Sequence, residues 1–160
     1  MKEEAARAFK LVWANPSYGS EEIPGVFGSF RHGSVEVFLM DNRTHKYSPR
    51  RHPDLTLETG VIWGEAQLDW LMAGLKASTA PVKLIANGTQ VLSMGERGEG
   101  HHTEAHGERR RLLEFLERER IGGVVFLTGD RHYTEAMQLT QSDGPSCWIL
   151  PVHPCRMGRR

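Results

Sequence analysis

Asp130 and His132, two positions apart, are the pair of side chains in this chain best suited to holding a metal ion. They follow residues 122–127, a short apolar run rich in β-branched side chains, with the length and character of a strand covered on both faces. Ligands of α/β proteins collect beyond the carboxyl ends of such strands. Gly129 frees the backbone to turn at that point, so a carboxylate and an imidazole can project together onto one site. That donor pair suits zinc, iron or manganese. In the competing assignment Asp130 caps the segment that follows, and His132 is a polar residue satisfied at a strand end.

Other apolar runs end in the same way. Residues 35–40 lead into Asp41-Asn42-Arg43, and residues 82–86 lead into Asn87-Gly88. If these strands share a sheet, three polar strand ends converge. Arg43 would then supply the planar fork that matches a phosphate, and Asn87 would stand beside it. The alternatives are an ion pair between Arg43 and a nearby carboxylate, and Asn87 capping a turn.

The elements that must position these groups follow from periodicity. Residues 26–31 and 35–40, separated by His32-Gly33-Ser34, read as a hairpin. Residues 64–78 place Leu68, Leu71, Met72 and Leu75 on one face of a helix, with Trp70 beside them as a core aromatic. A second helix is expected over residues 108–120, and a short amphipathic one over 2–10. The run Glu108-Arg109-Arg110-Arg111 reads as a solvated helix face with intrahelical pairing. Residues 44–59 are polar and proline-bearing, and form either a mobile site loop or a surface excursion. Residues 94–107 are rich in Gly and His and are expected to be a loop. Of their histidines, His101, His102 and His106, the last two lie one helical turn apart if the segment is helical, which leaves metal binding or a solvated loop. The strand-helix alternation makes the chain α/β, with parallel strands across the helical crossovers.

Composition narrows the classes of function. The chain of 160 residues has 20 basic and 20 acidic side chains, so net charge implies no polyanionic partner and nucleic-acid binding is not expected. No stretch reaches the ~20 apolar residues of a membrane span, so stable membrane insertion is not expected, and the first residues lack the apolar core of a signal peptide. Cys147 and Cys155, both near the end, make neither a disulfide framework nor a CxxC metal motif.

A set of short motifs occurs in order along the chain: residues 15–19 (NPSYG), 24–27 (PGVF), 38–43 (FLMDNR), 64–71 (GEAQLDWL), 87–92 (NGTQVL), Glu108-Arg109 and 126–132 (FLTGDRH). Together they resemble the C-terminal part of the metallophosphatase domain of PhoD-like alkaline phosphatases, over about residues 9–135. The resemblance implies a calcineurin-like metallophosphoesterase fold, a four-layer αββα sandwich of mixed sheets with flanking helices, of which residues 1–160 would be a single partial domain. It implies a multinuclear centre of divalent or trivalent ions (calcium, iron, manganese or zinc) that hydrolyses phosphate monoesters or diesters. Asp130 and His132 fall on the family's Gly-Asp-x-His metal motif. Arg43 and Asn87 fall in strand-end motifs and are the candidate catalytic residues.

Some of the chain departs from that pattern. The family's earlier metal motifs do not occur in it, position 42 is Asn where an acidic residue is common, and residues 95–106 replace an aromatic-bearing loop. Residues 147–160 match nothing in the pattern and read as a frameshifted, non-native tail. The resulting expectation is a phosphoesterase fragment with half a metal site, turning over little phosphate ester on its own. The alternative, from another class, is a non-catalytic α/β module that binds a partner or an anion through Arg43.

Overall fold

The computed structural model describes residues 2–94, 99–130, 136–140 and 145–151. Its strands are β1 (Gly28–His32), β2 (Val35–Leu39), β3 (Val82–Asn87), β4 (Val124–Thr128), β5 (Met137–Leu139) and β6 (Cys147–Pro151), and its helices α1 (Lys2–Val12), α2 (Glu65–Ala77), α3 (His101–Glu104) and α4 (His106–Arg118). The strands form one mixed sheet in the order β1-β2-β3-β4-β6-β5. Its centre, β2-β3-β4-β6, is parallel, and β1 and β5 are antiparallel edge strands. Parallel pairing of β2, β3 and β4 across α2 and α4 is the arrangement expected from the crossovers.

Strand alternation sorts the side chains. Phe38, Ile85, Val124 and Phe126 turn to one face and are fully buried under Leu68, Leu71 and Leu75 of α2 and Leu112 and Leu116 of α4. The alternate residues, Leu39, Ala86 and Leu127 among them, face the other way, where α1 overhangs their carboxyl ends. Trp70 packs against Phe27 and Phe38, with centroids 4.7 and 6.0 Å away, so it is the core aromatic that the periodicity indicated.

Several boundaries differ from those read in the sequence. The first strand starts at Gly28, not at residue 26, because the Val26 N–H donates to the Asp41 carboxylate instead of to a neighbouring strand. The segment expected to be a loop up to residue 107 contains a helical turn, α3, and α4 begins at His106. Glu108 lies in the first turn of α4 and is buried, which corrects its assignment to a solvated face. Residues 44–59 are a surface excursion stitched down by a Tyr47–Val61 bridge and by the Thr56, Ser48 and His52 turns. At the start of β4, Gly123 has φ of 71°, and a Cβ there would lie 1.9 Å from the Pro81 carbonyl oxygen, so only glycine fits. Cys147–Pro151, within the expected tail, pairs with β4 and β5; residues 152–160 lie outside the described residues.

Candidate functional site

The parallel register brings the polar strand ends level. Leu39 pairs with Ala86 and Ala86 with Leu127, while Asn87 pairs with Thr128, so Asp41, Gly88 and Gly129 follow at the same height. They open onto a cavity of about 760 Å³, whose lining includes Asp41, Asn42, Arg43, Asn87 and Thr128 from the sheet and Phe9 and Trp13 from the α1 side. Three of the four predicted site residues can be located. Arg43 and Asn87 line this cavity and Asp130 follows directly on its rim residue Gly129. His132 lies outside the described residues.

Asp41 shapes the loop after β2. Its Oδ1 accepts the N–H groups of Arg43 (2.8 Å) and Thr44 (3.0 Å), and its Oδ2 accepts from the Val26 N–H (2.9 Å) and the Thr44 hydroxyl (2.5 Å). Burial pushes this carboxyl up, but the bonds from Thr44, Arg43 and Val26 together outweigh it and hold the group below its usual range. With its acceptor sites filled, Asp41 is a structural anion and no free ligand. The backbone of the same residue is gripped by Gln67 of α2, whose Oε1 accepts the Asp41 N–H (2.8 Å) while its Nε2 donates to the Asp41 carbonyl (3.0 Å). A side-chain amide thus continues the ladder where β2 ends.

Asn87 is 6 % exposed, and its Oδ1 accepts from Trp63 Nε1–H (2.9 Å) while its Nδ2 donates to the Thr89 carbonyl (2.7 Å). The same indole N–H reaches Asn42 Oδ1 (3.1 Å), and Asn42 Nδ2 donates to Thr89 Oγ1 (3.0 Å). One buried tryptophan therefore orients two strand-end amides. Arg43 is largely exposed and its guanidinium lies 3.0 Å from Glu99, which also pairs with Lys46 at 3.2 Å. The ion-pair alternative for Arg43 is thus occupied in this conformation, at the mouth of the cavity.

Behind Trp63 stands a buried polar group that sequence reasoning missed. Glu108 reaches from α4 to the start of α2 and accepts the N–H groups of Ile62 (2.8 Å), Trp63 (3.1 Å) and Gly64 (2.6 Å). Gly64, at φ 79°, has no capping side chain of its own, so Glu108 caps α2 from a distance. Burial raises its pKa, opposed by those three N–H bonds. His101 fills the space between, 4.1 Å from the Trp63 ring and 3.6 Å from Glu108, and burial depresses its pKa to about 3, leaving it neutral.

At the end of β4 the left-handed backbone conformation falls on Asp130, with φ of 70°, and not on Gly129. Aspartate is among the few residues that tolerate this region, and such conformations concentrate at functional sites. Asp130 is exposed. Among the described residues no group of three or more His, Cys, Asp or Glu side chains is placed to hold a metal ion.

A mixed sheet with flanking helices, whose parallel strands end together at one cavity, defines the class: an α/β protein, a fold in which ligands gather beyond the strand ends. Its family follows from the comparison with known sequences. The profile of PhoD-like phosphatases matches residues 2–152, and the chain belongs to that family. A solved structure described as "Structure of PhoD" superposes with a TM-score of 0.67 at 17 % identity, covering 92 % of this chain and 33 % of that one. At that identity the likeness shows the fold, a mixed sheet with flanking helices. The chain spans a third of the length of the structure it resembles. A search of curated proteins finds no match.

Proposed function

We propose that this chain contributes part of the centre of a metal-dependent phosphoesterase acting on phosphate monoesters or diesters. The observation that carries the reading is the family match together with the levelled strand ends, Asp41-Asn42-Arg43, Asn87-Gly88 and Gly129-Asp130, at one cavity mouth. The donor set fits a metal only in part. Asp130 offers an exposed carboxylate, with His132 two residues on, whereas the carboxylate of Asp41 is already saturated. In the proposal Asp130 and His132 hold a calcium, iron, manganese or zinc ion, and further ligands come from outside the matched third of the fold. A bound ion would supply Lewis-acid charge at the phosphoryl oxygens. Arg43 leaves Glu99 for the substrate phosphate, a swap made easy because an exposed ion pair is worth only ~0–1 kcal/mol. Asn87, fixed by Trp63, holds the floor of the crevice. Neither nucleic acid nor membrane is a partner in this reading; the partner is the phosphate ester.

The test is release of p-nitrophenol from p-nitrophenyl phosphate and bis(p-nitrophenyl) phosphate with each of the four metals added. It compares the 160-residue chain with the same chain extended in its genomic frame. The extended protein is expected to turn over and the short chain to show little activity. In the extended protein His132→Ala should lower kcat/KM at least ~100-fold, about 3 kcal/mol of transition-state stabilisation, and Arg43→Lys by about tenfold. Near-normal turnover by His132→Ala refutes the metal role. Equal rates for the short and extended proteins refute the incomplete centre.

A further inference from the structure

The α3–α4 junction carries a second pair of metal-competent side chains. His102 and His106 are one helical turn apart, and their imidazoles meet although the helix breaks at Ala105 (φ −152°, ψ 61°). His106 Nε2 lies 3.0 Å from His102 Nδ1, with ring centroids 4.7 Å apart and planes inclined by 36°. One proton lies between the two ring nitrogens of such a hydrogen bond, and an ion that takes its place needs both nitrogens as donors. With metal–nitrogen bonds of ~2.05 Å, two cis ligands stand about 2.9 Å apart at a right angle and about 3.4 Å apart at the tetrahedral angle. The observed 3.0 Å is a hydrogen-bond distance that already brings the two nitrogens close to the spacing either chelate geometry requires. Imidazole donors suit zinc, copper and nickel alike, and among divalent first-row ions affinity for such a pair peaks at copper(II).

The backbone around the pair leaves little to reorganise. The His106 N–H donates to the Leu57 carbonyl (2.7 Å) and the Ala105 N–H to His101 (3.0 Å), with Ala105 fully buried. A Cβ on Gly60 would lie 2.1 Å from the Glu104 carbonyl oxygen, and one on Gly107 would lie 2.4 Å from that of Glu58, so the junction sits directly on residues 58–60. Both imidazoles stay half-buried and reachable from solvent. Of the neighbouring ionic groups, Glu58 pairs with Arg110 at 2.8 Å in this conformation. Chelation requires the two rings to rotate until both nitrogens aim at one ion in place of the shared proton.

We infer that His102 and His106 form a two-imidazole clamp for one divalent transition-metal ion, copper(II) foremost. The clamp is independent of the phosphoesterase reading, since neither imidazole belongs to the strand-end group.

Copper(II) titrated into the 160-residue chain, followed by calorimetry and electron paramagnetic resonance, tests it. The expected result is one ion with two equatorial imidazole nitrogens. His102→Gln and His106→Gln should each remove one nitrogen from the spectrum and weaken binding at least about tenfold, the loss of a tethered second ligand. Asp130→Asn combined with His132→Gln should leave this site unchanged. Unaltered binding in both clamp variants overturns the inference, as does loss of the two-nitrogen signal in the Asp130/His132 variant alone. Should either clamp variant lose its circular-dichroism signal, diethylpyrocarbonate labelling of the wild-type chain decides: copper must protect His102 and His106, and labelling that ignores copper overturns the clamp.

Discussion

Replacing Glu108 with alanine should unbalance the structure from its least obvious point. The carboxylate accepts three backbone N–H groups at the start of α2, and two of them belong to Ile62 and Trp63, which are fully buried. A buried donor left without a partner costs ~1–3 kcal/mol, and Gly64, half-buried, is the one that water can recover. Two orphaned donors therefore amount to about 4 kcal/mol, a large share of the ~5–15 kcal/mol by which a domain is stable. At ~2–4 °C per kcal/mol for a domain of this size, Tm should fall by roughly 8–16 °C. Glu108→Gln keeps one acceptor oxygen but sets an amide N–H₂ against a donor, so roughly half of that loss is expected. The pH dependence has a definite sign. Burial is the larger influence and raises the carboxyl's pKa in the folded state, so its contribution is complete below the ordinary value of 4.5 and declines as pH rises through the raised one. Urea and thermal unfolding measure the first effect, and amide exchange at residues 62–64 its location. Alanine within about 1 kcal/mol of wild type, or unchanged protection of those three amides, would refute the capping role.

Trp63→Phe removes the indole N–H that serves Asn42 and Asn87 while retaining most of the ring's volume, so it should cost about 1–3 kcal/mol, read in urea unfolding, and free the Asn87 amide resonances to broaden or shift. An unchanged Asn87 side-chain spectrum would show that the indole does not hold it. His101→Phe should remove an acid-sensitive element. The folded-state pKa of about 3 lies below the ordinary 6.5, so neutral His101 stabilises fully above 6.5 and loses that contribution as pH falls toward 3. The groups facing it are Glu108 at 3.6 Å and, at longer range, Arg109 and Lys46. The stability difference between wild type and His101→Phe should accordingly grow with pH, by at most ~1.4 kcal/mol per unit, between those limits. Parallel stability curves for the two proteins would contradict it.

The sheet was legible because each central strand announces itself twice, by its apolar run and by the polar residues that stop it. Residues 82–86 and 122–127 carry no competing helical period, and the helices between them fix parallel pairing. Edges were less legible for a physical reason. Val26 looks like strand, but its N–H is diverted to a carboxylate fifteen residues away, a contact that no local pattern contains. The three residues Asp41, Asn42 and Arg43 were visible as a polar end, yet nothing in their order says that Asp41 is saturated by its own loop or that Arg43 faces Glu99.

The buried polar groups are the instructive case, because their signal was present and was read the wrong way. Glu108 stands at i, i+4, i+7 and i+8 with Leu112, Phe115 and Leu116, squarely on the apolar stripe of α4, and His101 and Ala105 extend that stripe backwards. Gln67 holds the same relation to Leu71 and Leu75 in α2. A charged or amide side chain on such a stripe is not a solvated neighbour of arginines; it must be buried, and burial demands partners. In this chain the partners are backbone groups that secondary structure leaves open: the first turn of α2 for Glu108 and the last residues of β2 for Gln67. These two clamps fix where α2 begins and where β2 stops, and Trp63 and Asp41 stand at those two points. The polar strand ends are therefore positioned by polar residues hidden on apolar faces, and phase along the helix, not composition, reveals them.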